Sequence, residues 1–298
     1  TEENTLSLHD ALPISWDAGD ASGRGLLALG GADFDHSEDS TGDPIALANL
    51  EAGASRAGAS DSLRLHFPSL PQTAEEAAQV AALWRASGSP DAADIAESSG
   101  RAASESAFKR LAPGRRVLHV ATHGFALGDG TGRARVSGAR GIGAVVGGAR
   151  PNAREHRAVL LPGLALAGAN VAHAVGSEDG FLTAEEITSL DLSGTEWAVL
   201  SACETGFSDP RAPEAVQGLQ RAFRRAGVHT VIMSLWAVDD VATREWMRQL
   251  YSARLGDRLD TAAAMQSACR KVLAERRARG QSTHPFGWAA FVAAGDWR

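Results

Sequence analysis

The chain has 298 residues, of which 44% are hydrophobic and 22% charged, and its formal net charge at pH 7 is −7. This composition is that of a folded globular protein with one large or two modest domains. Because acidic and basic residues are interspersed and the balance is negative, direct binding to nucleic acid is disfavoured.

The chain also carries little that suggests export or membrane insertion. Its N-terminus is acidic and lacks a basic region followed by an apolar core. The charge-free run at 158–176 has the length of a membrane span, but it contains Pro162, Asn170 and several glycines, so we expect no membrane partner. The only two cysteines, Cys203 and Cys269, make an unpromising disulfide pair, and we therefore expect a reducing, cytoplasmic setting.

The chain begins at Thr1 without an initiating Met, and we expect that native N-terminal sequence is missing. Residues 1–23 are predicted to be an N-terminal tail, in part non-native or disordered. Residues 24–298 are predicted to form a single domain with a flexible loop at 127–157, where Gly and Arg dominate.

In chain order, the first predicted element is a buried strand at 25–31. Its Gly30-Gly31 pair leaves a nucleotide site open as a weak alternative, although the GxGxxG pattern is absent. The sequence Thr73-Ala74-Glu75-Glu76 predicts a capping box that opens a helix, and a second helix is expected near 104–111.

Further along, Thr183-Ala184-Glu185-Glu186 predicts another capping box. Helical spacing is expected at 214–226, 241–255 and 261–279, and strands at 228–236 and 289–295. Strands that alternate with helices predict a mostly parallel sheet.

Two apolar stretches, 117–124 and 197–206, end in reactive side chains. Each is partly β-branched and then breaks into small residues, as a strand does when it leaves a parallel sheet. Because sites form at the carboxyl ends of such strands, His123 and Cys203 are predicted to lie near each other. An imidazole next to a thiol generates the nucleophilic thiolate. The backbone N–H groups of Gly124 and Cys203 are candidates to bind the oxyanion.

Simpler interpretations remain open. A lone Cys on a strand is often only packing, and His119 and His123 are both compatible with structural roles. Asp239 and Asp240 fit a helix N-cap. Zinc is not expected at Cys203, because no second ligand stands at CxxC or HxxxH spacing.

Several segments, in the right order, resemble the CHAT domain, a caspase-like peptidase family often found with tetratricopeptide repeats. The resemblance covers roughly residues 24–298. The segments that carry it are Ala121–Gly124, Leu200–Gly206, Ser234–Asp240 and His284–Phe291, with linking pieces at Ala107–Ala112, Gly163–Asn170 and Leu182–Ile187.

The resemblance implies a caspase-like three-layer α/β/α sandwich with a mostly parallel sheet and a His–Cys dyad at His123 and Cys203. By similarity to separase-like enzymes, Asp240, or less favourably Asp239, would bind a P1 arginine, since a carboxylate pairs with a guanidinium. No cofactor or metal is implied.

We therefore expect a cysteine endopeptidase that cleaves a protein partner after a basic residue. A missing upstream sensor or tetratricopeptide-repeat region in cis would control it. The alternative is a catalytically weak or inactive protein-interaction module on the same fold.

Overall fold

The computed structural model describes residues 23–37, 66–128, 160–171, 178–201, 212–236, 238 and 240–296. Within these ranges the chain forms nine strands. They are β1 (Leu26–Ala32), β2 (Ile95–Gly100), β3 (Val117–Ala121), β4 (His123–Gly128), β5 (Leu160–Ala165), β6 (Phe181–Thr183), β7 (Trp197–Leu200), β8 (Thr230–Ser234) and β9 (Phe291–Gly295).

Six of these strands form one sheet in the order β2-β1-β3-β7-β8-β9. All neighbours are parallel except β8 and β9, which are antiparallel. Strands β3, β7 and β8 are buried throughout, as expected of parallel strands that are covered on both faces. The prediction of a mostly parallel sheet is confirmed.

Helices cover both faces of this sheet within the described ranges. One face packs on α1 (Pro71–Arg85), α5 (Asp240–Tyr251) and α6 (Thr261–Ala278), and a π-helical turn (Ser252–Gly256) continues α5. The other face packs on α2 (Glu105–Leu111), α3 (Ala184–Ser189), α4 (Ala212–Arg225) and a three-stranded sheet in the order β4-β5-β6. The expected α/β/α layering is thus confirmed, with the small sheet as an addition.

None of the described helices combines the length and apolar character needed to cross a lipid bilayer. Strand β4 ends at Gly128 and β5 begins at Leu160, so most of the loop predicted at 127–157 lies outside the described residues.

The predicted capping box at Thr73–Glu76 is wrong, because α1 begins earlier, with Pro71 in its first turn and Leu70 at the N-cap. The Thr73 hydroxyl instead accepts a hydrogen bond from the Gly31 N–H at 2.7 Å and donates to the Leu70 carbonyl at 2.6 Å. A Cβ atom on Gly30 would lie 2.2 Å from the Thr73 carbonyl oxygen. Close packing of β1 on α1 therefore accounts for the glycine pair without a nucleotide.

The capping box predicted at Thr183–Glu186 is confirmed, and the helix expected near 104–111 is present as α2. Thr183 and Glu186 form a reciprocal capping box at the start of α3. Ser104 caps α2 by accepting a hydrogen bond from the Ala107 N–H.

The stretch predicted as one strand at 117–124 is divided in two. Strand β3 leaves the large sheet after Ala121, and His123 is the first residue of β4 in the small sheet. The division falls at Thr122, whose buried hydroxyl donates to the Ala165 carbonyl on β5 at 2.5 Å. This hydrogen bond ties the turn between the two sheets to β5.

Candidate active site

Three neighbouring strands of the large sheet end at the same edge. Strand β3 lies in register with β7, with Val120 opposite Leu200, and β7 lies in register with β8. The Ser201 N–H donates to the Val120 carbonyl at 2.9 Å, so the two chains are still adjacent where β7 ends. The sequence positions of His123 and Cys203 both follow these neighbouring strand ends directly.

The described residues do not reach every candidate. Cys203 and Asp239 lie outside them, as does the side chain of Asp240, which is the first residue of α5. Gly124 is the second residue of β4, buried opposite Leu164 of β5. The dyad, the oxyanion donors and the P1 pocket therefore stay predictions.

His123 lies in an aromatic cage that sequence reasoning did not foresee. Its ring centroid is 5.2 Å from that of Phe34 and 5.6 Å from that of Phe67, with interplanar angles of 47° and 40°. The two phenylalanine rings also pack on each other at 6.0 Å. With only 1% of His123 exposed, the imidazole has one fixed orientation rather than a range of solvated ones.

A backbone carbonyl sets the tautomer of this imidazole. His123 Nε2 lies 2.8 Å from the carbonyl oxygen of Pro68, which accepts hydrogen bonds and has none to donate. Nε2 therefore carries the hydrogen, and in the neutral ring Nδ1 is the basic nitrogen. This arrangement suits a general base whose second nitrogen is held by an acceptor.

The neighbouring His119 has a different environment, on the face of the sheet covered by α1 and α5. Its Nε2 is 3.2 Å from Glu76 Oε1 and its Nδ1 is 3.1 Å from the hydroxyl of Tyr251, and all three side chains are buried. Burial, together with the charge of Glu76, raises the pKa of Tyr251 well above its usual value. The structural interpretation therefore applies to His119.

The last segment of the chain packs on the same edge. The Leu235 N–H donates to the Ala290 carbonyl at 2.8 Å, and the ring of Trp236 stacks on that of Phe286 at 6.0 Å. The segments Ser234–Asp240 and His284–Phe291, both singled out in the sequence, therefore meet just beyond β8.

Among the described residues, one acidic cluster has metal-like spacing. Glu105, Glu178 and Glu186 bring carboxylate oxygens within 4.8 Å of one another. The ammonium of Lys109 already lies among them, at 2.7, 2.9 and 3.0 Å. This cation supplies the charge balance that a metal ion would provide.

A mostly parallel sheet between two helical layers is the architecture of a caspase-like α/β/α sandwich. The model of the CHAT domain family matches residues 4–296, and the chain belongs to that family. The match begins within the segment predicted as a tail, and the proposed boundary at residue 24 stays a prediction.

A curated relative is the human protein Tetratricopeptide repeat protein 28. It is 31% identical to this chain over 115 residues, a match that covers 39% of this chain and 4% of that protein. The matched region is thus a small part of a much longer relative.

Proposed function

We propose that this protein is a cysteine endopeptidase that cleaves a protein partner after a basic residue, with His123 and Cys203 as its catalytic pair. The observation that carries the proposal is the hydrogen bond from His123 Nε2 to the Pro68 carbonyl, because it leaves Nδ1 as the basic nitrogen. The adjacency of β3 and β7 supports it further, since the segments that bear the two residues leave neighbouring strands.

In the proposed reaction Nδ1 of His123 takes the proton of the Cys203 thiol, and the thiolate attacks the scissile carbonyl carbon. The N–H groups of Gly124 and Cys203 bind the oxyanion. The imidazolium then gives its proton to the leaving amine as the C–N bond breaks. A water molecule, deprotonated at Nδ1, hydrolyses the thioester and restores the thiol. The Pro68 carbonyl stabilises the imidazolium throughout by accepting from Nε2–H.

A preference for a basic P1 side chain rests on Asp240, with Asp239 as the less favoured choice. Strand β8 lies beside β7, and α5 begins at Asp240 a few residues after β8 ends. A carboxylate at this end of the sheet would form a bidentate pair with an arginine guanidinium.

We further propose that a tetratricopeptide-repeat or sensor region in cis controls the enzyme in the cytoplasm. Two comparisons support this: membership of the CHAT family and likeness to a tetratricopeptide-repeat protein. Neither a membrane nor a nucleic acid is part of the proposal.

The test uses a peptide acyloxymethyl ketone with arginine at P1. We expect wild-type protein to be labelled at Cys203 and Cys203→Ala to be unlabelled. Asp240→Asn should lose the preference for arginine over leucine at P1, while Asp257→Asn, an exposed control in the chain after α5, should keep it. An unchanged preference in Asp240→Asn would remove the pocket assignment. Absence of labelling in the wild type, with the upstream region of the native protein present, would remove the peptidase.

The burial of His123 favours one alternative, a catalytically weak or inactive interaction module. An imidazole that is 1% exposed is compatible with a residue retained for packing against Phe34 and Phe67. This alternative predicts no labelling of Cys203 even when the upstream region of the native protein is present.

A further inference from the structure

The turn that follows β5 joins two segments that are distant in sequence. Its Gly168 N–H donates to the Asp33 carbonyl at 3.0 Å, and its Asn170 N–H donates to the Phe34 carbonyl at 2.8 Å. On its other side the turn meets Phe67, which lies beyond residues 38–65 in the chain. One short turn thus contacts both phenylalanines of the His123 cage.

The side chain of Asn170 makes the second of these connections. Its Oδ1 accepts from the Phe67 N–H at 2.8 Å, and its Nδ2 donates to the Phe67 carbonyl at 2.9 Å and to Asp35 Oδ1 at 2.8 Å. A carboxamide that pairs with both the N–H and the C=O of one residue imitates a strand partner. It therefore fixes the position and the orientation of Phe67.

Phe67 immediately precedes Pro68, whose carbonyl holds Nε2 of His123. Hydrogen bonds from Asn170 thus place the 67–68 segment, and the side-chain hydrogen bonds described for Asn170 go to Phe67 and Asp35 rather than to His123. The carbonyl that holds the imidazole is thus placed by a residue that lies far away in the sequence.

We propose that Asn170 is a positioning residue for His123, acting through Phe67 and the Pro68 carbonyl to fix the imidazole in its Nε2–H tautomer. This inference rests on the proposed function only for its effect on turnover. Its effect on the tautomer is independent of any activity.

The direct test is ¹⁵N NMR of histidine-labelled protein in a Cys203→Ala background, where His123 has no thiol partner. We expect His123 to be the Nε2–H tautomer, and to become a mixture of tautomers when Asn170→Ala is added. Gln249→Ala is the matched control, because this buried amide donates to Glu245 and Glu275 in the layer of α5 and α6, on the other face of the large sheet. An unchanged tautomer in the Asn170 variant would overturn the proposal.

Kinetics give the second measurement. With Cys203 intact, Asn170→Ala should lower kcat about tenfold to hundredfold with KM unchanged. A loss of this size is what removal of one charge-assisted hydrogen bond costs, here the bond from the His123 imidazolium to the Pro68 carbonyl. A rise in KM with kcat unchanged, or equal losses in Gln249→Ala, would contradict a positioning role. A tautomer change in a protein without peptidase activity would support the positioning role and remove only the proposed function.

Asn170→Asp keeps the test usable if the alanine variant fails to fold. It retains the acceptor for the Phe67 N–H but turns an oxygen toward the Phe67 carbonyl and the Asp35 carboxylate, so the same loss is expected. Adding Asp35→Asn returns a donor to that contact and should recover part of kcat. No recovery, with both variants folded, would overturn the proposal.

Discussion

Two histidines separated by three residues take different roles because of what surrounds each ring. His119 lies between Glu76 and Tyr251 in the layer formed by α1 and α5, and both of its nitrogens have buried partners. His123 has Nε2 on a backbone carbonyl and its ring between two phenylalanines at the edge of the sheet. At the residue scale, the environment rather than the residue type assigns the candidate base.

The hydrogen bond between His119 and Tyr251 is expected to stabilise the folded protein. Tyr251→Phe should lower the free energy of unfolding by about 1–3 kcal/mol, because it leaves the buried Nδ1 of His119 without its hydroxyl partner. Urea denaturation measures the change. In a His119→Phe background the same substitution should cost less, and an equal cost in both backgrounds would contradict the coupling.

At the scale of elements, one ion cluster joins α2, α3 and the segment before β6. Lys109 of α2 contacts the three glutamates, and Glu105 also accepts a hydrogen bond from the Gly180 N–H at 3.2 Å. Burial, with contributions from Glu178, raises the pKa of Glu105 to about 8. Burial acts to raise the pKa of Glu186 too, but hydrogen bonds from Thr183 outweigh it and lower that pKa to about 2.

These shifts predict how stability depends on pH. The pKa of Glu105 in the folded protein lies above the ordinary 4.5. The contribution of Glu105 to the free energy of unfolding is therefore fully present below pH 4.5 and is lost as pH rises through about 8. Glu105→Gln mimics the protonated form, so its free energy of unfolding should rise relative to wild type between pH 5 and 8.

Denaturation at several pH values checks this expectation. Glu185→Gln, at an exposed site on α3, should follow the wild-type profile. If the free energies of unfolding of Glu105→Gln and wild type differed by a constant amount from pH 5 to 8, the expectation would be contradicted. Glu186 has the opposite sign, since its contribution is present above pH 4.5 and is lost as pH falls toward 2.

Local signals predicted those elements in which the sequence pattern and the packing agree. The run at β3 and the capping box of α3 were predicted, because burial and capping there depend on neighbours in the chain. The signal at Thr73–Glu76 misled, because Glu76 is buried against His119 instead of capping a helix. Strand β2 was missed, because the sequence of Ile95–Gly100 has little β-branched or aromatic character and it owes its place to pairing with β1.

Some features of the candidate site could likewise be predicted from the sequence, whereas others depend on contacts between distant segments. The strand ends beside His123 and Cys203 follow from apolar patterning and the rule for parallel sheets. Phe34, Pro68 and Asn170 carry no local pattern that links them to a histidine, and only the folded chain brings them together. Contacts between residues so far apart in sequence have no signal in a single sequence.

On the scale of the whole molecule, the order of the strands determines which segments leave the sheet at the same edge. Strands β1, β3, β7 and β8 are parallel neighbours, so the segments that follow them all leave the sheet on one side. His123 follows β3, the segment that bears Cys203 follows β7, and α5 begins in the segment after β8. Phe34, which packs on His123, lies in the chain after β1. The central claim is that this edge joins an imidazole to a thiol.

The rate of alkylation of Cys203 by iodoacetamide between pH 5 and 10 tests that claim most directly. Cys269, half-buried on α6 with its pKa raised by burial, serves as the internal reference thiol. If His123 is the partner of Cys203, the wild-type midpoint lies well below the ordinary value of about 8.5, and His123→Gln moves it back to about 8.5. A wild-type midpoint near 8.5 that His123→Gln leaves unchanged would contradict the account.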